Sequence, residues 1–357
     1  MDEKIRFKKN SSSDFFYVLK KRVETLFEEQ NLSPHANGKI HFKVITLCVL
    51  YLLCYFSLIS NYFGFLSVCV LYSCIGLIKA LIGFNLTHDA LHGAYSSNPK
   101  INRILGYSFD LNGTSSLIWK ISHNVLHHTY TNIPGVDQDI EKAILLRLSP
   151  QDKLYPFHKW QHIYAPFLYA MIGFNWVFYA DYAWFWKEAR QRKVPSTEIF
   201  LFVLFKMINM TLFLLFPLLY LSIPWWQVLI AYSCMHVVGG ITIALVFQLA
   251  HIVDNVQFPL PNPEGEMENT WAIHEMYTTS NFGTQSSWTT NLVGGLNFQI
   301  EHHLFPKICH VHYPMISNIV KQTASEFQIP YFEQPSFLLA VRSHFRTLKL
   351  LGLGKIK

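Results

Sequence analysis

The feature that most constrains this chain is the length of its stretches without charged residues. From Val44 to Ile78 there is no Asp, Glu, Lys or Arg, and after Lys79 the uncharged run resumes to Thr87. A bilayer span takes roughly 20 apolar residues, so this stretch is long enough for two membrane helices. Residues 61–64, which read Asn-Tyr-Phe-Gly, predict the turn between them.

A second apolar stretch runs from Ile199 to Val253. Only Lys206 and the titratable His236 and His251 interrupt it, and residues 222–224, Ser-Ile-Pro, predict its turn. Charged residues make up 15% of the chain, against about 25% in an ordinary soluble domain. The sequence therefore predicts an all-α integral membrane protein with four transmembrane helices in two hairpins, and we expect no nucleic-acid partner.

The basic residues predict the orientation, because short loops rich in Lys and Arg stay in the cytosol. Both predicted turns lack them, whereas the segments before, between and after the hairpins carry many. Both termini and the central segment should be cytosolic, in a bacterial inner membrane or the endoplasmic reticulum. We expect five regions: a cytosolic segment with an amphipathic helix (1–42), a hairpin (43–87), a cytosolic cap with an interfacial helix (88–197), a second hairpin (198–250) and a C-terminal cap (251–357).

Three local patterns refine this outline. The segment "DFFYVLKKRVETLF" has apolar residues near helical spacing and predicts the amphipathic helix. The segment "IYAPFLYAMIGFNWVFYADYAWFW" is apolar, but one further crossing would separate the C-terminal histidines from the others, so we expect an interfacial helix. The Pro- and Glu-rich segment "NVQFPLPNPEGEMENT" predicts a loop.

Histidines form three clusters in this chain. They are "HDALH" with His88 and His92, "HNVLHH" with His123, His127 and His128, and "QIEHH" with His302 and His303. His251 stands alone where the fourth span ends. Hydropathy places all of them near one depth on the cytosolic side, which predicts that they meet.

The spacing predicts how these rings are presented. Residues four apart share a helix face, so His88 with His92, and His123 with His127, can point at one place. Adjacent residues diverge by about 100°, so pairs such as His127 and His128 suit two metal ions. Zinc sites commonly include Cys or a carboxylate, and no HExxH motif or CxxC pair is present. Imidazole serves iron, copper and zinc alike, so the ligands predict a dimetal site without fixing the metal.

These clusters resemble the three histidine boxes of the membrane fatty acid desaturases. The resemblance covers roughly residues 80 to 312 and includes "HHTYTNIPGVDQDIE", "FQLAHIVD", "WAIHEMYTTSNF" and "NLVGGLNFQIEHHLFP". Glutamine at the start of the third box is typical of the front-end and linoleoyl-CoA branch. The resemblance implies a centre of two iron ions that uses O2 to introduce a cis double bond into an acyl chain of a CoA ester or a lipid, with delta-6 or delta-5 regiochemistry.

The resemblance also implies roles for individual residues. The ligand and catalytic set would be His88, His92, His123, His127, His128, His251, His302 and His303. Gln299 stands where other branches have a ninth histidine, and its amide should hydrogen-bond a ligand or water, or bind weakly. Metal-bound imidazoles usually donate their second N–H to an acceptor, and candidates close in sequence are Asp89, Asp137, Asp139, Asp254, His274, Asn297 and Glu301.

Many front-end desaturases carry a fused cytochrome b5 domain with an HPGG motif, which this sequence does not contain. We therefore expect a separate electron donor, ferredoxin or cytochrome b5, besides membrane lipids and the fatty acyl substrate. Two alternatives remain open at this stage. One is a diiron hydroxylase acting on a lipid, and the other is a histidine-lined metal transporter.

Overall fold

The computed structural model describes residues 5–9, 14–140, 144–191 and 194–356. The chain divides into two compact units. The membrane unit comprises residues 37–120 and 166–245, and the histidine unit comprises residues 1–36, 121–165 and 246–357.

Four helices are long and apolar enough to cross a membrane: Gly38–Ile59, Phe65–His92, Ser196–Tyr220 and Trp225–His251. The gaps between them fall at residues 60–64 and 221–224, where Gly and Pro favour turns, so both predicted turns are confirmed. A further pair of helices, Pro156–Ala170 and Ile172–Arg190, meets at a bend of 53°. The number of spans would rise to five only if these two helices together formed a single broken span. Its interfacial position stays a prediction.

The remaining helices of the membrane unit are short. They are Pro99–Leu111, Ser116–Trp119, Ile172–Asn175 with a π-helical continuation Trp176–Ala180, and Asp181–Gln191. The third span is also interrupted by a π-helical turn, Thr211–Leu215, between α-helical segments Ser196–Met210 and Phe216–Tyr220.

Two glycines allow a close helix contact in the membrane unit. A Cβ at Gly76 would lie 2.1 Å from the carbonyl oxygen of Met235, and one at Gly239 would lie 3.2 Å from the carbonyl oxygen of Gly76. Two spans therefore approach backbone to backbone, as small residues allow in membrane helices.

A buried ion pair ties three segments of the membrane unit together. Lys206 Nζ lies 2.8 Å from Asp181 Oδ2 and 2.7 Å from the carbonyl oxygen of Gly113. The same carboxylate oxygen accepts a hydrogen bond from the backbone N–H of Ser115 at 2.7 Å. Lys206 and Asp181 are 5% and 3% exposed, so both members of this pair are buried, which hydropathy alone does not indicate.

The histidine unit is built from short helices. They are Phe15–Glu29, His128–Tyr130, Trp271–Thr278, Ser287–Leu292, Gln299–Leu304, Tyr313–Glu326 and Phe337–Gly352, with 3-10 turns at Pro156–Trp160 and His310–His312. Three helices contribute residues to both units: Gln161–Ala170, the π-helical Lys120–His127 and the fourth apolar helix, Trp225–His251. The predicted amphipathic helix is confirmed: Phe15, Leu19 and Val23 are buried in the core of this unit.

Two parallel strand pairs complete the unit. Arg6–Lys8 pairs with Glu266–Thr270, and Asn281–Phe282 pairs with Glu333–Gln334. The prediction of a loop over residues 255–270 is therefore wrong at its end. Glu266–Thr270 finds a strand partner from the distant N-terminus, which no local pattern in this Pro-rich segment indicates.

Candidate metal site

Six histidine rings gather in the histidine unit. Neighbouring ring centroids lie 4.3 Å apart for His128 and His303, 4.5 Å for His128 and His302, and 4.7 Å for both His127–His251 and His123–His128. All six rings are buried. The predicted meeting of boxes two and three with His251 is thus present within this unit.

Three of these rings form a compact donor set. Donor nitrogens of His127, His251 and His303 all lie within 4.8 Å of one another. In the described part of the chain, the Nε2 atoms of all three have no hydrogen-bond partner, although they are buried. Buried polar atoms are nearly always paired, so three converging, unpaired imidazole nitrogens fit a bound metal ion.

The opposite nitrogen of His127 is held by a carboxylate. Nδ1 of His127 lies 3.1 Å from both oxygens of Asp137, which is fully buried. Asp137 in turn accepts backbone N–H groups of Asn132 and Asp139 at 2.8 and 2.9 Å. This clamp fixes the ring orientation and leaves Nε2 as the free donor atom.

His303 is held in the same way from another element. Its Nδ1 donates to Oε2 of Glu275 at 2.7 Å, and the hydroxyl of Thr131 lies 2.8 Å from the same oxygen. His251 differs, because its Nδ1 lies 3.3 Å from a neutral acceptor, the backbone carbonyl of Thr278.

The other three rings form a second group. Nε2 of His123 and Nε2 of His128 are 3.2 Å apart, and the ring of His302 stacks parallel to His123 at 6.0 Å. Two ligand nitrogens on one metal ion, each at about 2.1 Å, are separated by roughly this distance. Nδ1 of His302 lies 3.2 Å from the hydroxyl of Tyr313.

Adjacent histidines diverge as predicted. The rings of His127 and His128 are inclined by 80°, and those of His302 and His303 by 82°. Each adjacent pair thereby gives one ring to the first group and one to the second.

His88 and His92 lie in the membrane unit. Their ring centroids are 4.6 Å apart, so the predicted shared face is confirmed, and both rings contact Trp119 edge-on. Nδ1 of His88 lies 3.9 Å from Asp89.

The local backbone at two boxes differs from the α-helix that we expected. A π-helical turn, Gly83–Thr87, precedes His88, and His123 and His127 lie on the π-helical segment Lys120–His127. π-helical turns are rare in proteins overall, and those that do occur are often found at functional sites.

Three buried groups of the histidine unit, His127, Glu275 and His303, have perturbed ionisation. Burial disfavours the charged form of His127, but the charge and hydrogen bond of Asp137 outweigh it and raise the pKa of His127 to about 9. Burial raises the pKa of Glu275 to about 8 and, with the neighbouring histidines, lowers the pKa of His303 well below its usual value. Without a cation at Nε2, the Glu275–His303 pair is therefore neutral; a metal ion there would favour the carboxylate.

The other predicted partner residues lie as follows. Asp139 is 3.7 Å from Nδ1 of His123 and 3.6 Å from Nδ1 of His127. His274 hydrogen-bonds the carbonyl of Thr131, and Gln299 is buried with an Nε2 that has no partner among the residues described. The remaining three make contacts away from the rings: Asp254 with Thr347, Asn297 with Thr290, and Glu301 with Asn281 and Tyr331.

Sequence reasoning missed three residues whose side-chain oxygens lie within hydrogen-bond distance of histidine ring nitrogens. Glu275, Thr131 and Tyr313 are separated in sequence from their partner rings by 28, 172 and 11 residues. Two of them lie in segments already singled out for their resemblance, Thr131 in "HHTYTNIPGVDQDIE" and Glu275 in "WAIHEMYTTSNF".

Apolar spans and a buried histidine cluster define a membrane protein with the donor set of a metal site. The family model described as Fatty acid desaturase matches residues 61–335, and this chain belongs to the fatty acid desaturase family.

Curated relatives agree with this assignment. The chain is 37% identical, over 98% of both chains, to the sn-1 linoleoyl-lipid 6-desaturase of Synechocystis sp.. It is 34% identical to the Acyl-lipid (8-3)-desaturase of Physcomitrium patens, over 97% of this chain and 73% of that protein. It is 33% identical to the Acyl-lipid (8-3)-desaturase of Mortierella alpina, over 95% of this chain and 78% of that protein.

The chain is therefore a fatty acyl desaturase, an oxidoreductase that acts on acyl chains among membrane lipids. The predicted fold class, with mostly helical structure and four apolar helices, is confirmed as well. The comparisons favour desaturation over the hydroxylase and transporter alternatives.

Proposed function

We propose that this chain is a front-end desaturase that introduces a cis double bond at carbon 6 of a lipid-linked linoleoyl chain. The observation that carries this regiochemistry is the 37% identity to a linoleoyl-lipid 6-desaturase over nearly the full length of both proteins. The (8-3)-desaturases are slightly less similar, at 34% and 33%.

We further propose two iron ions with separate ligand groups. The first would be held by His127, His251 and His303, whose converging Nε2 atoms support this assignment. The second would take His123, His128 and His302. His88 and His92 would complete its ligands, a proposal that rests on the pattern of the histidine boxes.

The reaction balances as one CH2–CH2 unit, O2, two electrons and two protons giving one CH=CH unit and two molecules of water. Bound iron would supply the oxygen chemistry that an unactivated methylene requires. The chain's own residues hold the imidazoles in place: Asp137 and Glu275 fix two rings through their Nδ1 atoms. Seven of the eight proposed ligand rings are buried and that of His92 is half-buried, which would keep bulk water from a strongly oxidising centre.

The electrons would come from a small one-electron carrier, ferredoxin or cytochrome b5. We propose that both termini and the metal site face the cytosol, because Lys and Arg are absent from both outer turns and abundant elsewhere. The five regions with boundaries at residues 42, 87, 197 and 250 are part of the same proposal.

Expression in a host that supplies linoleate but has no desaturase acting at carbon 6 tests the proposal. We expect a C18 product with double bonds at carbons 6, 9 and 12, located by mass spectrometry of derivatised lipids. His303→Ala, at equal protein abundance, should give no product. A new double bond at carbon 5 or 8, or an alcohol as the product, would contradict the assignment. A new double bond found only in acyl-CoA, and not in lipid-linked chains, would contradict it as well.

A further inference from the structure

One short helix contacts three of the histidine ligands that we propose. On Trp271–Thr278, positions 271, 275 and 278 follow the i, i+4, i+7 spacing of a single helix face. Each makes one hydrogen bond toward a different histidine: the indole N–H of Trp271 with the carbonyl of His128 (2.9 Å), Glu275 with His303 (2.7 Å), and the carbonyl of Thr278 with His251 (3.3 Å).

We propose that Glu275 is the positioning residue of the first metal group, acting through His303. The inference rests on the proposed role of His303 as a metal ligand and deepens it. Among the contacts of this helix, only that of Glu275 joins a carboxylate to an imidazole N–H.

The geometry at Glu275 supports this role. Both Glu275 and His303 are 0% exposed, and the distance of 2.7 Å between Oε2 and Nδ1 is that of a short hydrogen bond. Thr131 holds the same oxygen at 2.8 Å while also lying 2.7 Å from the carbonyl of His127. The Thr131 hydroxyl therefore lies between the carboxylate that holds the His303 ring and the backbone of His127.

A carboxylate at Nδ1 has two consequences for the ring. It places the proton on Nδ1, so that Nε2 carries the lone pair, and it makes that nitrogen more basic toward a cation. His251, held by a neutral carbonyl at 3.3 Å, receives less of this support.

Metal titration of the purified full chain tests the proposal without relying on activity. Chelator-treated protein in detergent is titrated anaerobically with Fe²⁺, and with Co²⁺ as a visible-absorption probe. For Glu275→Gln, which keeps the shape but removes the charge, we expect one of the two metal ions to bind about 10- to 100-fold more weakly, with changed Co²⁺ absorption. The second ion should bind as in the wild type.

Glu301→Gln is the matched control, because Glu301 is also 0% exposed and adjoins a histidine, yet its oxygens bond to Asn281 and Tyr331. It should keep both metal ions. Thr131→Val, which leaves the carboxylate in place, should weaken the same ion by a smaller factor and provides the test if Glu275→Gln does not fold.

The outcomes separate the two levels of the argument. If the wild type binds no metal, the proposed function fails. If the wild type binds two ions and both Glu275→Gln and Thr131→Val match it within about threefold, with unchanged Co²⁺ absorption, the positioning role fails and the function stands. Equal losses in Glu301→Gln and Glu275→Gln would also overturn the positioning role.

Discussion

The buried pair of Lys206 and Asp181 gives a strong prediction about the stability of the membrane unit. Lys206→Met leaves a carboxylate that is 3% exposed and that keeps, among the described residues, only the 2.7 Å bond from the backbone of Ser115. Removing one partner of a buried pair costs about 3–5 kcal/mol, because the other charge stays buried without compensation. For a unit of this size, that corresponds to a fall in Tm of about 6–20 °C.

The matched variant carries both changes. In Lys206→Met/Asp181→Asn no charge remains, and the asparagine oxygen still accepts the Ser115 N–H. Replacing both members of a buried pair is often nearly neutral, so we expect the double variant to recover more than half of the Tm lost by Lys206→Met.

Thermal unfolding of purified protein in one detergent, followed by tryptophan fluorescence, measures both values. A Tm within 2 °C of the wild type for Lys206→Met would refute the reasoning, because the carboxylate would then be solvated or protonated at little cost. A double variant less stable than Lys206→Met would refute it as well, since the cost would lie in lost packing.

Three further predictions concern other parts of the molecule. Gly76→Ala should destabilise the membrane unit by about 1–3 kcal/mol or more, because the added Cβ would lie 2.1 Å from the carbonyl oxygen of Met235. Thermal unfolding measures this loss, and Gly64→Ala, whose Cβ would meet nothing within 4 Å, is the control. Burial lowers the pKa of His344 to about 4 in the folded chain, against 6.5 for an exposed histidine. Between pH 6.5 and 4, the unfolded chain therefore binds a proton at His344 that the folded chain does not. Stability should fall by up to about 3 kcal/mol as pH drops through that window, and His344→Asn should flatten the profile measured by unfolding. Removal of metal by a chelator should abolish product formation while leaving helical circular dichroism largely unchanged, and Fe²⁺ should restore activity; recovery with Zn²⁺ alone would contradict a redox role.

The spans and their turns could be predicted because length and hydropathy alone determine them. The uncharged run from Val44 and the one from Ile199 each exceed what one helix needs, and Gly64 and Pro224 stand where the chain must turn. Likewise, the spacing of His88 and His92 is sufficient to predict that their rings share a face.

What the sequence did not reveal depends on contacts between distant residues. Asp137 was among the predicted partners because it lies ten residues from His127, but Glu275 meets His303 from a different helix and was missed. Glu301, beside two histidines in sequence, directs its carboxylate to Asn281 and Tyr331 instead. The π-helical turns do not alter the pattern of apolar and polar residues along the chain, so that pattern does not indicate them.

The π-helical turn Gly83–Thr87 has a consequence for how the first box tolerates changes in chain length. A π turn holds one residue more than the α turn it replaces, while the flanking segments remain nearly in phase. Deleting a single residue there can be absorbed by tightening the turn, whereas the same deletion a few residues later would rotate His92 by about 100° relative to His88. The additional residue in this turn thus allows one deletion before His88 without changing how the rings of His88 and His92 are aligned.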